Sequence, residues 1–181
     1  ESYGFLCEDF VRDKDAVSAC VILAEIAAWA KDQGLSLYQL LQKIYVEYGF
    51  SKEKGISVVK KGKSGAEEIE AMMKKFRENP LTEIAGSKVT YFYDYSTLKG
   101  KDYAENETVT LDMPTTSNVL QYFTEDNTKD GTKVSIRPSG TEPKIKFYCE
   151  VHSKVKSIDE LPEAEKAAEE KINQIKASLG I

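Results

Sequence analysis

An α+β fold is the architecture this chain predicts, and three observations predict it. Stretches with helical period stand at both ends of the chain. Between Val89 and Val151 apolar residues alternate with period two. The alternating stretches also follow one another too closely for the crossovers of a parallel sheet, which implies antiparallel hairpins and meanders. The expected arrangement is a pair of helices, then an antiparallel sheet with helices packed against one face. At 41% hydrophobic residues the chain can build a packed core.

Taken in order, the first helix runs from Arg12 to Ala30, opened by Asp13 or Asp15 and closed by Gly34. A carboxylate suits that start because it accepts the free N–H groups and complements the helix dipole. Val17, Cys20, Val21, Leu23, Ile26 and Ala27 make the helix apolar on nearly every side, so it should be buried in something larger. Ser36 caps a second helix with a stripe at Leu37, Leu40, Leu41, Ile44, Tyr45 and Tyr48, and Gly49 stops it. From Phe50 to Gly65 the composition turns to Lys, Gly and Ser, which places a domain boundary near residue 60 and divides the chain into 1–60 and 61–181.

Ser64 and Glu67 read as a capping box for a third helix with its stripe at Ile69, Met72, Met73 and Phe76, ended by Asn79-Pro80. Alternation then appears at Val89, Tyr91, Tyr93 and Tyr95, at Val109 and Leu111, at Val134 and Ile136, and at Ile145, Phe147, Cys149 and Val151. Asn118 to Phe123 is a further strand, followed by a turn from Asp126 to Gly131. A sheet face covered by helices accounts for the tyrosine stripe. The last helix spans about Asp159 to Leu179, with Ala164, Ala168, Ile172, Ile175 and Leu179 inward and its acidic residues as a solvated face.

Composition narrows the chemistry. With 25 Lys and Arg against 30 Asp and Glu, the formal charge of −5 disfavours a nucleic-acid or anionic-membrane partner. The longest apolar run, Ala16 to Ala30, is broken by Ser18 and Glu25 and is too short to span a bilayer. Cys7, Cys20 and Cys149 lack metal-like spacing and read as free thiols of a reducing cytoplasm. His152 is the one histidine, which nearly excludes His-based metal sites and Ser-His or Cys-His nucleophile pairs. The start at Glu1, in what reads as a loop, is expected to be the start of a fragment.

One segment carries chemistry: Arg137-Pro138-Ser139-Gly140-Thr141-Glu142-Pro143-Lys144, set between two strands. Residues 132–148 hold Lys133, Arg137, Lys144 and Lys146 against Glu142 alone, four cations to one acid. A phosphate-sized anion needs a cationic fork, hydroxyl donors and converging N–H groups. Arg137 can supply the fork and Ser139 and Thr141 the hydroxyls, while Gly140 leaves the backbone approachable. Prolines at both ends restrict the loop before a ligand binds. A plain hairpin turn would use Pro, Ser and Gly as well.

The order RPSGTEPK followed by IKFY resembles the phosphate-binding loop in the C-terminal domain of the α-D-phosphohexomutases, the family of phosphoglucomutases and phosphomannomutases. Glu1-Ser2-Tyr3-Gly4, followed by Arg12-Asp13-Lys14-Asp15-Ala16-Val17, resembles the same family's sugar-recognition loop and the helix after it. The overall pattern is most like that of the bacterial phosphoglucomutases. The resemblance implies the helical tail of an α/β third domain, then a fourth, C-terminal domain whose antiparallel sheet is TATA-binding-protein-like.

By that resemblance Arg137, Ser139, Gly140 and Thr141 would hold the substrate phosphate that is not being transferred, with Lys144 adding charge. Ser2 would contact ring hydroxyls. Glu1 occupies the spacer position beside the loop's acid, and Lys14 sits in the segment that reaches the sugar in relatives. The resemblance also implies interconversion of hexose 1- and 6-phosphates through a phosphoserine and a bisphosphorylated intermediate, with magnesium as cofactor. The partners it implies are the phosphosugar and the missing N-terminal domains of the same chain. The serine loop (Thr-Ala-Ser-His-Asn-Pro-like) and the metal loop (Asp-Gly-Asp-Gly-Asp-Arg-like) are absent from these 181 residues, so no catalytic residue and no metal ligand is expected among them. The competing expectation is a stand-alone module that binds a phosphorylated ligand without catalysis.

Overall fold

The computed structural model describes residues 4–8, 13–60, 62–125 and 131–181. It divides into two compact units, Glu1–Glu47 and Tyr48–Ile181.

The first unit is built on helices α1 (Ala16–Asp32) and α2 (Leu37–Tyr48). Asp15 caps α1, its carboxylate accepting from the backbone N–H groups of Val17 and Ser18 at 3.0 Å each. Ser36 and Gln39 form a reciprocal box at the start of α2. The Gln39 N–H donates to Ser36 Oγ at 3.2 Å and the Ser36 N–H to Gln39 Oε1 at 2.9 Å. Helix α1 keeps Ala19 and Ala30 buried but leaves Val17 74%, Val21 56% and Trp29 54% exposed. An apolar surface of that extent is unusual on a finished monomer.

In the second unit the strands are β1 (Phe50–Val59), β2 (Glu83–Ile84), β3 (Ser87–Asp94), β4 (Lys99–Asp102), β5 (Glu107–Thr110), β6 (Leu120–Thr124), β7 (Thr132–Pro138) and β8 (Lys144–Ser153). Helix α3 (Gly62–Glu78) follows β1, and α4 (Leu161–Leu179) closes the chain. The sheet order is β1-β8-β7-β6-β3-β4-β5 with β2 on β3, and every pairing is antiparallel.

The core lies between one sheet face and the two helices. Ile69, Met73 and Phe76 of α3 and Ala168, Ile172 and Ile175 of α4 are buried, as are Tyr122, Val134, Ile136, Ile145, Phe147 and Cys149 of the sheet. Tyr122 is fully buried and its hydroxyl donates to the Phe76 carbonyl at 2.9 Å, so its polar end is satisfied inside the core. The three cysteines are free, and burial pushes the Cys149 thiol up to about 11, which leaves it inert at neutral pH.

Four expectations are corrected. The change of unit falls at Tyr48, ahead of residue 60, because 50–59 is a strand paired along its length with β8, from Phe50↔Ser153 to Val59↔Lys144. The strand's polarity has a structural use: Lys52 and Lys54 lie under α4 and reach Glu165 at 3.0 Å and Glu169 at 2.6 Å. Those two glutamates therefore belong to an ion-pair network on β1, a departure from a purely solvated face. Helix α3 begins at Gly62, so Ser64 lies inside its first turn and ahead of it there is no Ser64 cap.

The tyrosine stripe faces away from the helices. A register shift between Val89 and Tyr91 turns Phe92 and Asp94 toward the helical side. Tyr91 and Tyr93 are left on the opposite face, with ring centroids 5.9 Å apart and Tyr93 5.2 Å from Phe123. The expected turn from Asp126 lies largely outside the described residues.

Candidate functional site

The Arg137–Lys144 segment is the turn that joins β7 to β8. Cross-strand pairing of Arg137 with Lys146 and of Pro138 with Ile145 sets its base. The Ser139 N–H donates to the Lys144 carbonyl at 2.8 Å and closes the loop; the Lys144 N–H donates to the Glu142 carbonyl at 2.7 Å. Within it the N–H groups of Thr141 and Glu142 lean toward Ser139 Oγ at 3.4 and 3.3 Å. The hydroxyl thus gathers two amides on one side of the turn, a local arrangement typical of Ser in tight turns.

Alternation along β7 and β8 puts Ile136 and Ile145 in the core and sends Arg137, Lys144 and Lys146 to the face without helices. Arg137 is exposed, and among the described residues its guanidinium has no ion pair or side-chain hydrogen bond. Gly140 is exposed too, and a Cβ placed there would meet no atom within 4 Å. Nothing in the chain itself requires glycine at 140. Space of this kind suits a ligand that approaches the backbone from outside.

Lys144 is less available than its sequence position suggests, because Nζ lies 2.5 Å from Glu142 Oε2. Lys146, counted in the local charge but not assigned to the site, stands directly across the strands from Arg137. Strand β1 reaches the site as well: the Lys60 N–H donates to the Pro143 carbonyl at 2.9 Å. The Lys-, Gly- and Ser-rich composition of 50–65, which suggests a domain boundary, hides that anchor.

Farther along the same face Glu150 accepts from Lys133 at 2.6 Å and meets His152 Nε2 at 2.5 Å. Burial pushes the Glu150 carboxyl up, but the hydrogen bonds from Lys133 and His152 outweigh it and hold the group below the usual carboxylate range. His152 therefore lies within a strand as a partner of Glu150.

Behind the turn, on the helical side, is a cavity of about 530 Å³ bounded by Met73, Lys74 and Arg77 of α3, Asn118, and Ser139 and Glu142 of the turn. Arg77 Nε donates to Asp94 Oδ2 and Nη2 to Asn118 Oδ1, both at 2.9 Å. Burial acts to raise the Asp94 carboxyl, but bonds from Ser96 and Arg77 keep it below its ordinary value. Arg137 does not border this cavity. The turn is cationic on one side and hollow on the other.

Of the other expected residues, Glu1 and Ser2 lie outside the described residues. Lys14 is exposed and pairs with Asp13, Nζ to Oδ1 at 2.9 Å, just ahead of the cap of α1. Among the described residues no group of three or more His, Cys, Asp or Glu could hold a metal ion, and no helix is long and apolar enough to cross a membrane.

A family model described as "Phosphoglucomutase/phosphomannomutase, C-terminal domain" matches residues 123–168, which contain β7, the turn and β8. A phosphoglucomutase of Staphylococcus haemolyticus is 38% identical over 152 residues, covering 84% of this chain. The chain is thus similar to part of the phosphoglucomutases. A Staphylococcus aureus phosphoglucomutase is 39% identical over 148 residues and 82% of this chain. The chain spans 27% of the S. haemolyticus protein and 26% of the S. aureus one. Among solved structures, pp63/parafusin from Paramecium is 17% identical, with a TM-score of 0.44 over 94% of this chain and 29% of that one.

Proposed function

We propose that the β7–β8 turn grips the phosphate of a phosphosugar that is not being transferred, as part of a phosphoglucomutase or phosphomannomutase. The parent enzyme would interconvert hexose 1-phosphate and hexose 6-phosphate through a phosphoserine and a bisphosphorylated intermediate, in the cytoplasm. In this reading residues up to about Glu47 are the end of the third domain and the unit from Tyr48 is the fourth. Ser2, Glu1 and Lys14 are assigned to the sugar side of the site. Magnesium would be held elsewhere in the parent, because the 181 residues contain no Asp-Gly-Asp-Gly-Asp-Arg-like loop, and the phosphosugar and the upstream domains are its partners.

The observation that carries the reading is Arg137 itself, a guanidinium without a partner among the described residues, across the strands from Lys146 and near a glycine with open space. An unpaired fork can take a phosphate in bidentate fashion, and each charge-assisted bond contributes roughly 1.5–3 kcal/mol. Both ends of the substrate must occupy this position in turn. A grip made of charge and N–H groups serves either end equally, because it reads the phosphate and leaves the ring alone.

The test is an amide-NMR titration of the 181-residue chain with glucose 1-phosphate, glucose 6-phosphate and glucose, beside an Arg137→Ala variant. Expected are shifts at Ser139, Gly140 and Thr141 with both phosphosugars and none with glucose, at affinities on the order of millimolar. In the variant those shifts weaken at least about tenfold. Shifts of the same size with glucose, or undiminished in the variant, refute the assignment.

A further inference from the structure

The helical face of the sheet is not fully covered. Helix α4 packs on β8, β1 and β2, and α3 packs on β8 and meets Tyr122 of β6 through the Phe76 carbonyl, while β4 and β5 lie beyond β3 at the far end of the sheet. There a second cavity of about 420 Å³ opens between the end of α3 and strands β3 to β5, within the range usual for small-molecule sites.

Its lining is cationic. Arg77, Lys99 and Lys101 border it, against Asp94 as the one carboxylate. Asp94 is already engaged, Oδ2 by Arg77 and Oδ1 by the N–H and hydroxyl of Ser96. The nearby acids Asp102 and Glu107 pair with each other across β4 and β5, one residue out of phase with Lys101, and so lie on the other face. Lys101 Nζ is held by the Asn106 carbonyl and Oδ1 at 2.9 and 2.6 Å, which fixes its position. Lys99 is exposed, and among the described residues it has no ion pair or side-chain hydrogen bond. Phe92 and Tyr103 supply aromatic wall.

We propose that this cavity is a second anion site, distinct from the Arg137 turn, for a phosphate ester carried on a ring. Lys99 and Lys101 would take the phosphate, and Phe92 and Tyr103 would lie against the ring. Two lysines held on one strand face with their neighbouring acids turned away give a local positive potential in an acidic chain, which an anion lowers. The aromatic wall adds the apolar contact that a bare phosphate cannot use. Arg77 borders both this cavity and the one behind the turn, so it marks the partition between them.

The same 181-residue chain decides this by amide NMR, titrated with AMP, glucose 6-phosphate and inorganic phosphate, each against sodium chloride at matched ionic strength. The expected result is movement of the 97–103 amides with at least one ester, retained in Arg137→Ala. In a Lys99→Ala, Lys101→Ala chain the dissociation constant rises about tenfold or more. Should the double variant fold poorly, Lys99→Glu, at an exposed position, is expected to weaken binding at least as much. Silence at 97–103 with both esters at tens of millimolar overturns the proposal, as does an equal response to sodium chloride or full binding by the lysine variants. A preference for AMP or for glucose 6-phosphate identifies the ring and supports the site. Equal affinity for inorganic phosphate and both esters overturns the role given to the aromatic wall.

Discussion

Glu142 competes for the charge that a phosphate would use. It sits inside the turn, paired with Lys144. Glu142→Gln should free Lys144 and tighten phosphate binding by roughly two- to fivefold, the size of an exposed ion-pair effect, with the gain shrinking as salt rises. Calorimetric or NMR titration at two ionic strengths checks this. Deeper in, Asp94 is almost fully buried and its partner Arg77 is part-exposed. Replacing it by Asn leaves that guanidinium without its counter-charge, for a cost of about 2–3 kcal/mol at pH 7, below the range for a wholly buried pair. The sign with pH follows from the lowered carboxyl. Its contribution is complete above the unfolded Asp value of about 3.9 and is lost as pH falls through the lower folded value. Urea unfolding of both chains between pH 7 and 2.5 should therefore show the gap narrowing only at the acid end. A gap unchanged to pH 2.5 would contradict the assignment.

Strand β1 is the element that decides where the second unit begins. A chain of residues 48–181 should unfold cooperatively with well-dispersed amide spectra, whereas 61–181 loses the partner of β8 and the Lys60–Pro143 tie to the turn. The shorter chain is expected to be several kcal/mol less stable or to associate through its bare β8 edge; equal melting of the two would refute this role for β1. The same strand shows what sequence reasoning can see. Helices α1, α2 and α4 and strands β7 and β8 were legible because apolar period and caps agreed, as at Asp15, at Ser36 and in the alternation from Ile145 to Val151. In β1 the alternating inward positions include Lys52 and Lys54, whose stems are covered while their charges pair with α4, so the period was hidden by polarity. Strand β4 reads Lys-Gly-Lys-Asp and carries no apolar signal at all. The tyrosine alternation was visible but its facing was not, because one extra residue near Thr90 inverts it. At the site, the turn was legible from residue order alone, while Lys146 and Lys60 joined it only through cross-strand register.

For the molecule as a whole, the two units have unequal claims to independence. The second has its own sheet, helices and candidate phosphate grip, whereas the first shows much of its apolar helix to solvent. Because the 181 residues contain neither a phosphoserine loop nor a metal loop of the family's type, the chain should show no mutase turnover of glucose 1-phosphate in a coupled assay purified free of host enzyme. Measurable turnover that tracks the purified chain would overturn the division of labour proposed for it. The pairing of β1 with β8 bears also on how the second unit is made. The strand nearest the start of the unit has its partner near the end, so residues 60–143 must all be synthesised before Val59 can meet Lys144. At about 5–20 residues per second that interval is several seconds, during which β1 has no ladder to join. A hydrophobic strand left waiting would be an invitation to aggregate. Lys52, Glu53 and Lys54, whose polarity hides the period of β1, are also what lets it wait on the ribosome in solution.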